Sequence, residues 1–190
     1  MTDNPIRCFV AIDFSPETKV YIQSVIEKNK IRFPQARWVS TDQIHITLQF
    51  FPSLTSSRVD QMKTILAEIS ASFNAFELIV LQIGVFSSWK KVRVLWIGID
   101  PVAGEKLKKI ALYLVKECTA QNIDIDQSRE FSPHLTLARF KDPISIQPQQ
   151  LYQPTCYTTS IRHLSFYQST LTPRGPIYTP LMIMPLKEVN

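Results

Sequence analysis

The sequence predicts an α+β protein of two pseudo-symmetric lobes, each an antiparallel-rich sheet with helices on its outer face, with an active-site cleft between the sheets. Three observations predict this. The order strand–helix–strand occurs twice: "FVAID" (9–13), a helix and "HITL" (45–48) are answered by "LWIGID" (95–100), a helix and "HLTL" (134–137). The spacing is kept as well, with 32 residues from Asp13 to His45 and 34 from Asp100 to His134. Finally, 45% apolar residues suffice for a packed core, and 19% charged residues argue against disorder. A chain of 190 residues suits a single bilobal domain over 1–190, with an internal repeat of roughly 6–90 and 92–180.

"IRCFVAIDF" (6–14) is a strand, continuously apolar except for Arg7 and Asp13. Ser15 before Pro16 is an N-cap followed by proline at the first helical position, and the helix over 16–31 buries Tyr21, Ile22, Val25 and Ile26. "QIHITLQF" (43–50) alternates, with Ile44, Ile46 and Leu48 on one face. Val59, Met62, Ile65, Leu66 and Ile69 give a helix over 56–72, and "FELIVLQIGV" (76–85) a strand. "VRVLWIGID" (92–100) precedes a helix marked by Leu107, Ile110, Ala111, Leu114, Val115 and Cys118. Further strands are expected at 133–140 and 158–169, while three prolines in "DPISIQPQQLYQP" (142–154) leave little room for a helix there.

Cys8, Cys118 and Cys156 are scattered and contain no CxxC, which fits reduced thiols in a cytoplasmic protein and gives no zinc-finger spacing. The opening residues carry no basic segment ahead of an apolar stretch, so no signal peptide is expected. No run approaches the roughly 20 apolar residues of a membrane span. A net charge of +5 permits a phosphate-bearing partner without demanding one.

Two of the three histidines sit in the same tetrapeptide, His-x-Thr-Leu, 89 residues apart. A single such motif is read as a half-buried strand with a satisfied histidine. A pair at equivalent points of a repeat points to a site. Residues i and i+2 of a strand share a face, so His45 points with Thr47, and His134 with Thr136. If the two strands meet across a pseudo-twofold axis, two imidazoles and two hydroxyls converge. Imidazole serves as base or acid near neutral pH, hydroxyls donate to phosphoryl oxygens, and an arginine balances developing charge. That set suits in-line displacement at phosphorus and requires no metal.

The paired motifs resemble the 2H phosphoesterase superfamily, and within it the LigT-like RNA 2′,3′-cyclic phosphodiesterases, also called the 2′-5′ RNA ligase family. The matching stretches are "RCFVAID" (7–13), "IHITLQFF" (44–51), "VLWIGID" (94–100), "FSPHLTLARF" (131–140) and "YQSTLTPRGPIY" (167–178). Two stretches depart from the family pattern. "FFP" (50–52) stands where the family has Phe-Leu-Gly, and "SSWKKVR" (87–93) replaces an arginine-proline segment.

The resemblance implies hydrolysis of a terminal 2′,3′-cyclic phosphate of RNA, or of a nucleotide carrying one, to a 2′-phosphomonoester, without cofactor. His45 is then the proton donor, His134 the proton acceptor, and Thr47 and Thr136 hold the non-bridging oxygens. Near-symmetry makes the two histidine roles easy to exchange. The alternatives within enzymes are a 2′,5′-phosphodiesterase or a reversible 2′-5′ RNA ligase, and outside them a non-catalytic RNA-binding relative. A metallohydrolase would want histidines and carboxylates at ligand spacing, where the motifs offer threonine.

Arg139 is a candidate phosphate ligand that strict alternation sends to the wrong face; it reaches the cleft only if the strand twists or bulges after Leu137. Otherwise it is a solvated strand-end arginine. Arg37 and Trp38 are expected at the cleft rim. Phe9, Phe50, Phe131, Trp96 and Tyr167 are candidates to stack on a base, or else core aromatics. His163 lacks a following threonine and reads as structural, and Lys90, Lys91 and Arg93 form a basic hairpin tip able to steer RNA. Two unperturbed histidines would give a bell-shaped pH profile centred on neutrality. The expected protein is a monomer.

Overall fold

The structure, a computed structural model, describes residues 4–125, 130–173 and 175–188. Its elements in order are β1 (Ile6–Asp13), α1 (Pro16–Lys30), β2 (Arg37–Trp38), β3 (His45–Leu54), α2 (Ser56–Ser72), β4 (Phe76–Phe86), β5 (Val92–Ile99), α3 (Pro101–Ala120), β6 (Leu135–Ile144), β7 (Tyr157–Ile161), β8 (His163–Thr172) and β9 (Gly175–Pro185). Both first helices of the repeat begin alike. Ser15 Oγ accepts from the Thr18 amide and Asp100 Oδ1 from that of Ala103, each with proline next in sequence. The second Asp100 oxygen accepts from the Ile79 amide, which ties the start of α3 to β4.

The strands form two antiparallel sheets, β3-β1-β8-β9 and β2-β6-β5-β4-β7. The pairing mixes the two halves of the chain. β1 pairs with β3 and β5 with β6 inside their own halves, but β4 leaves the first half to pair with β5, and β8 leaves the second to pair with β1. Each sheet is therefore made of both halves of the chain. Helix α2 packs on β3, β8, β9 and α3, while α3 also meets β4. Helix α1 reaches β7 through the Thr18–Thr159 hydroxyl pair (2.7 Å) and the Tyr21–Tyr157 stack (4.2 Å). One continuous core results, with Phe51, Phe166, Ile12, Ile46, Met62 and Leu66 almost wholly buried. No helix among the described residues is long and apolar enough to cross a membrane.

Two expectations need correction. The single strand expected over 158–169 is two strands, β7 and β8, in different sheets. The chain changes sheet at the exposed Arg162, between the buried Ile161 and Leu164, so the apolar pattern runs on while the pairing partner changes. Strand β9 was not anticipated, because Pro176, Pro180 and Pro185 argue against a strand. It lies at the edge of its sheet, where a missing N–H need not break a ladder.

The feature that aims the site is a matched pair of β-bulges. On β3, Gln49 faces Val10 and Thr47 faces Ala11, which leaves Leu48 without a partner. On β6, Ala138 faces Leu95 and Thr136 faces Trp96, which leaves Leu137 without one. Leu48 and Leu137 are themselves 89 residues apart, like the motif histidines. Each extra residue reverses the alternation beyond it, so Phe50 comes to lie opposite Phe9, and Arg139 opposite Val94, on the face that carries the motif.

Candidate active site between the two motif strands

His45, Thr47, His134 and Thr136 line one cavity of about 310 Å³, together with Arg7, Phe9, Val39, Gln43, Phe50, Arg139, Ser169 and Tyr178. A larger groove of about 830 Å³, around Glu77, Asp100, Lys106 and Arg162, shares no lining residue with it and holds no imidazole. The chemistry-bearing groups are in the smaller one. The bulge at Leu137 has brought Arg139 into it, and that at Leu48 has brought Phe50.

Both imidazoles are held the same way. Nδ1 of His45 is 2.7 Å from the Gln43 carbonyl oxygen, and Nδ1 of His134 is 2.7 Å from that of Ser132, two residues back in each case. A carbonyl can only accept, so Nδ1 carries a proton in both rings and Nε2 is left for chemistry. Nε2 of His45 is 3.0 Å from the Thr47 hydroxyl. Phe9 lies against His45 (4.9 Å between centroids), and Phe86 meets His134 edge-on at 4.7 Å. Apolar walls on both rings remove water, and this burial pulls both imidazoles below the usual histidine pKa of about 6.5.

Charge distinguishes the two. Asp13, the cross-strand partner of His45, favours its protonated form, with Lys19 and His134 acting against it. Asp13 is itself held by the Tyr167 hydroxyl and by Lys19 at 3.3 Å. Among the described residues no carboxylate acts on His134 in this way, and Arg139 disfavours its charged form.

Arg37, Trp96 and Phe131 lie outside the cavity wall. Arg37 sets its guanidinium against Gly175 (φ 129°) at the start of β9, where a Cβ would come within 2.6 Å of it. Phe131 packs on the core. Trp96 stands behind His134 with ring centroids 6.4 Å apart. The ring of Trp96 crosses Gly84, where a Cβ would come within 2.4 Å of two ring carbons. Gly84→Ala therefore displaces Trp96, whose ring neighbours Phe86 and His134. The variant is expected to lose about 1–3 kcal/mol in urea unfolding, the usual range for overpacking. A midpoint equal to wild type would show that Trp96 swings clear. His163 and the Lys90-Lys91-Arg93 tip are not in the cavity wall, and Arg93 donates instead to the Lys141 carbonyl. Arg174, within the fifth matching stretch, lies outside the described residues.

Sequence reasoning missed Arg7, Val39, Gln43, Ser169 and Tyr178. Tyr178 sits on the unforeseen β9, edge-on to His45 at 5.4 Å. Arg7 was legible: it shares strand parity with Phe9, Ala11 and Asp13, and an arginine inside an apolar strand asks for a reason.

Two antiparallel sheets meet on a duplicated histidine–threonine strand motif. Residues 15–96 match the family described as LigT like Phosphoesterase. Among curated proteins it is similar to the RNA 2′,3′-cyclic phosphodiesterase of Thermotoga maritima, 29% identical over 188 residues and 93% of each chain. That of Methanothermobacter thermautotrophicus is 24% identical, over 95% of this chain and 99% of its own. Among solved structures, TT0787 of Thermus thermophilus has a TM-score of 0.84 at 20% identity, over 97% of this chain and 100% of that one. E. coli LigT in apo form has a TM-score of 0.77 at 23% identity, over 97% and 99%. Those two likenesses are of fold.

Proposed function

We propose that the chain hydrolyses RNA 2′,3′-cyclic phosphate ends to 2′-phosphomonoesters by a two-histidine acid–base mechanism that uses no metal. The observation that carries this reading is the convergence of two identically tethered imidazoles, with Nε2 of each free of its backbone anchor, in one cavity with two threonines and an arginine. His134 Nε2 takes a proton from water as its oxygen forms the new bond to phosphorus. The bond from phosphorus to the 3′ oxygen breaks, and His45 Nε2–H protonates the departing oxygen. The Asp13 carboxylate beside His45 and the Arg139 guanidinium beside His134 support that order over its mirror image. Thr47, Thr136 and Arg139 hold the non-bridging oxygens, where donors aimed at developing charge act most strongly. The relatives named RNA 2′,3′-cyclic phosphodiesterase support the substrate class.

The test is an oligoribonucleotide ending in a 2′,3′-cyclic phosphate, incubated in EDTA and followed by phosphorus NMR. A 2′-phosphate product is expected. A 3′-phosphate, or turnover restored only by a divalent ion, would overturn the mechanism.

The pH dependence follows from the two lowered imidazoles. The rising limb of kcat/KM is deprotonation of the base, and the falling limb is loss of the proton from the acid. Both groups titrate below about 6.5 in the free protein, so the maximum falls on the acid side of that value rather than at neutrality. Bound phosphate favours both imidazolium forms, so the maximum of kcat lies at higher pH than that of kcat/KM. A kcat/KM maximum at or above pH 7 would contradict this.

A further inference from the structure

The cleft has a charge symmetry that the motif does not reveal. Positions 50 and 139 correspond across the repeat, each five residues beyond its histidine and each turned into the cleft by its bulge. At 139 the chain places a guanidinium, and at 50 a phenyl ring. Yet Arg7, on β1, lays its guanidinium over that ring, 4.3 Å from the centroid. The first half therefore regains the cation its motif lacks, from the neighbouring strand.

Arg7 lines the cavity, is exposed, and forms no ion pair among the described residues. Stacking fixes the plane of a guanidinium and leaves its N–H edge for an anion, a geometry suited to phosphate. The surroundings agree: Arg7, Arg37 and Arg139 all act on the Tyr178 hydroxyl, with Asp42 opposing them. A cyclic phosphate carries one negative charge, which Arg139 and the two threonines already serve. The cavity, about 310 Å³, is at the small end of ligand sites, and Arg7 is an exposed part of its wall.

We propose that Arg7, held flat on Phe50, is a second phosphate subsite that binds the phosphodiester on the 5′ side of the terminal nucleotide. The substrate class is then an oligonucleotide end rather than a free cyclic mononucleotide. This rests on reading the cleft as a site for nucleotides that end in phosphate, and it adds a specificity residue to that reading.

The experiment measures binding of two product-like ligands by calorimetry, a nucleoside 2′-monophosphate and a dinucleotide ending in a 2′-phosphate. Wild type, Arg7→Met and Arg7→Lys are compared. Met keeps an apolar stem on Phe50 and Lys keeps the charge without the planar fork. Wild type is expected to prefer the dinucleotide. Arg7→Met is expected to reduce that preference about tenfold, the scale of one charge-assisted hydrogen bond to phosphate, and Arg7→Lys to reduce it less. The slope of log Kd against log salt for the dinucleotide should also fall by about 0.7 in Arg7→Met, the increment for one phosphate neutralised on a single strand. A dinucleotide with a neutral methylphosphonate linkage should show neither effect. Equal losses on both ligands would place Arg7 on the terminal phosphate and overturn the subsite, as would an unchanged preference. Failure of wild type to turn over a cyclic phosphate would sink the proposed reaction, while this binding comparison would still decide the role of Arg7.

Discussion

His134→Ala is expected to lower kcat on a cyclic-phosphate-ended oligoribonucleotide by about 10²–10⁴-fold, the scale of lost general acid–base catalysis, and His45→Ala by a comparable factor. The double variant should be scarcely worse than either, since the groups act as a unit. Their roles separate with a phosphodiester whose leaving group is a nitrophenolate, which departs without a proton. His45→Ala should then recover most of its loss and His134→Ala none. The opposite pattern would exchange the roles, and full activity in either variant would end the two-histidine account. Both rings are tethered by a backbone carbonyl and walled by an aromatic ring, so each substitution also removes packing. Unfolding curves should be taken alongside the kinetics.

Arg139→Met is expected to lower kcat/KM by about 10²–10³-fold, the range for loss of one donor aimed at developing charge. Arg139→Lys should recover part of that, as a point charge without the bidentate fork. Stability should stay near wild type, because the side chain is exposed and makes no ion pair among the described residues. The variant has a second signature. Arg139 holds His134 towards its neutral form, so removing it should raise the pH at which the rising limb of kcat/KM appears. A loss below about tenfold with no shift of that limb would return Arg139 to the status of a solvated strand-end residue.

The helices were legible because their signals are local. Ser15-Pro16 marks the start of the first, and period-3.6 apolar residues mark all three. The motif faces were legible for the same reason, since parity over two residues survives any tertiary arrangement. What could not be read was pairing. Nothing in "TTSIRHLSFYQS" says that Ile161 serves one sheet and Leu164 the other. The bulges are pairing facts too. Leu48 and Leu137 look like ordinary alternating leucines, and only the partner strand shows that each is one residue too many. That is why alternation alone placed Arg139 on the wrong face, and why Tyr178, on a proline-rich edge strand, escaped notice.

The exchange of β4 and β8 between the sheets reaches beyond the candidate site. The sheet containing His45 closes only when residues 6–13 pair with residues 163–172, so more than 150 residues must be spanned before its central ladder exists. Loop-closure entropy on that scale makes for high contact order and slow folding. On the ribosome, β1 waits with an unsatisfied edge until β8 has emerged. A chain cut at the 87–91 turn should yield fragments that are separately incomplete yet complement one another when mixed, each supplying the strand its partner lacks. The two lobes are in this sense one cooperative unit, in which neither motif strand is seated until both halves of the polypeptide are present.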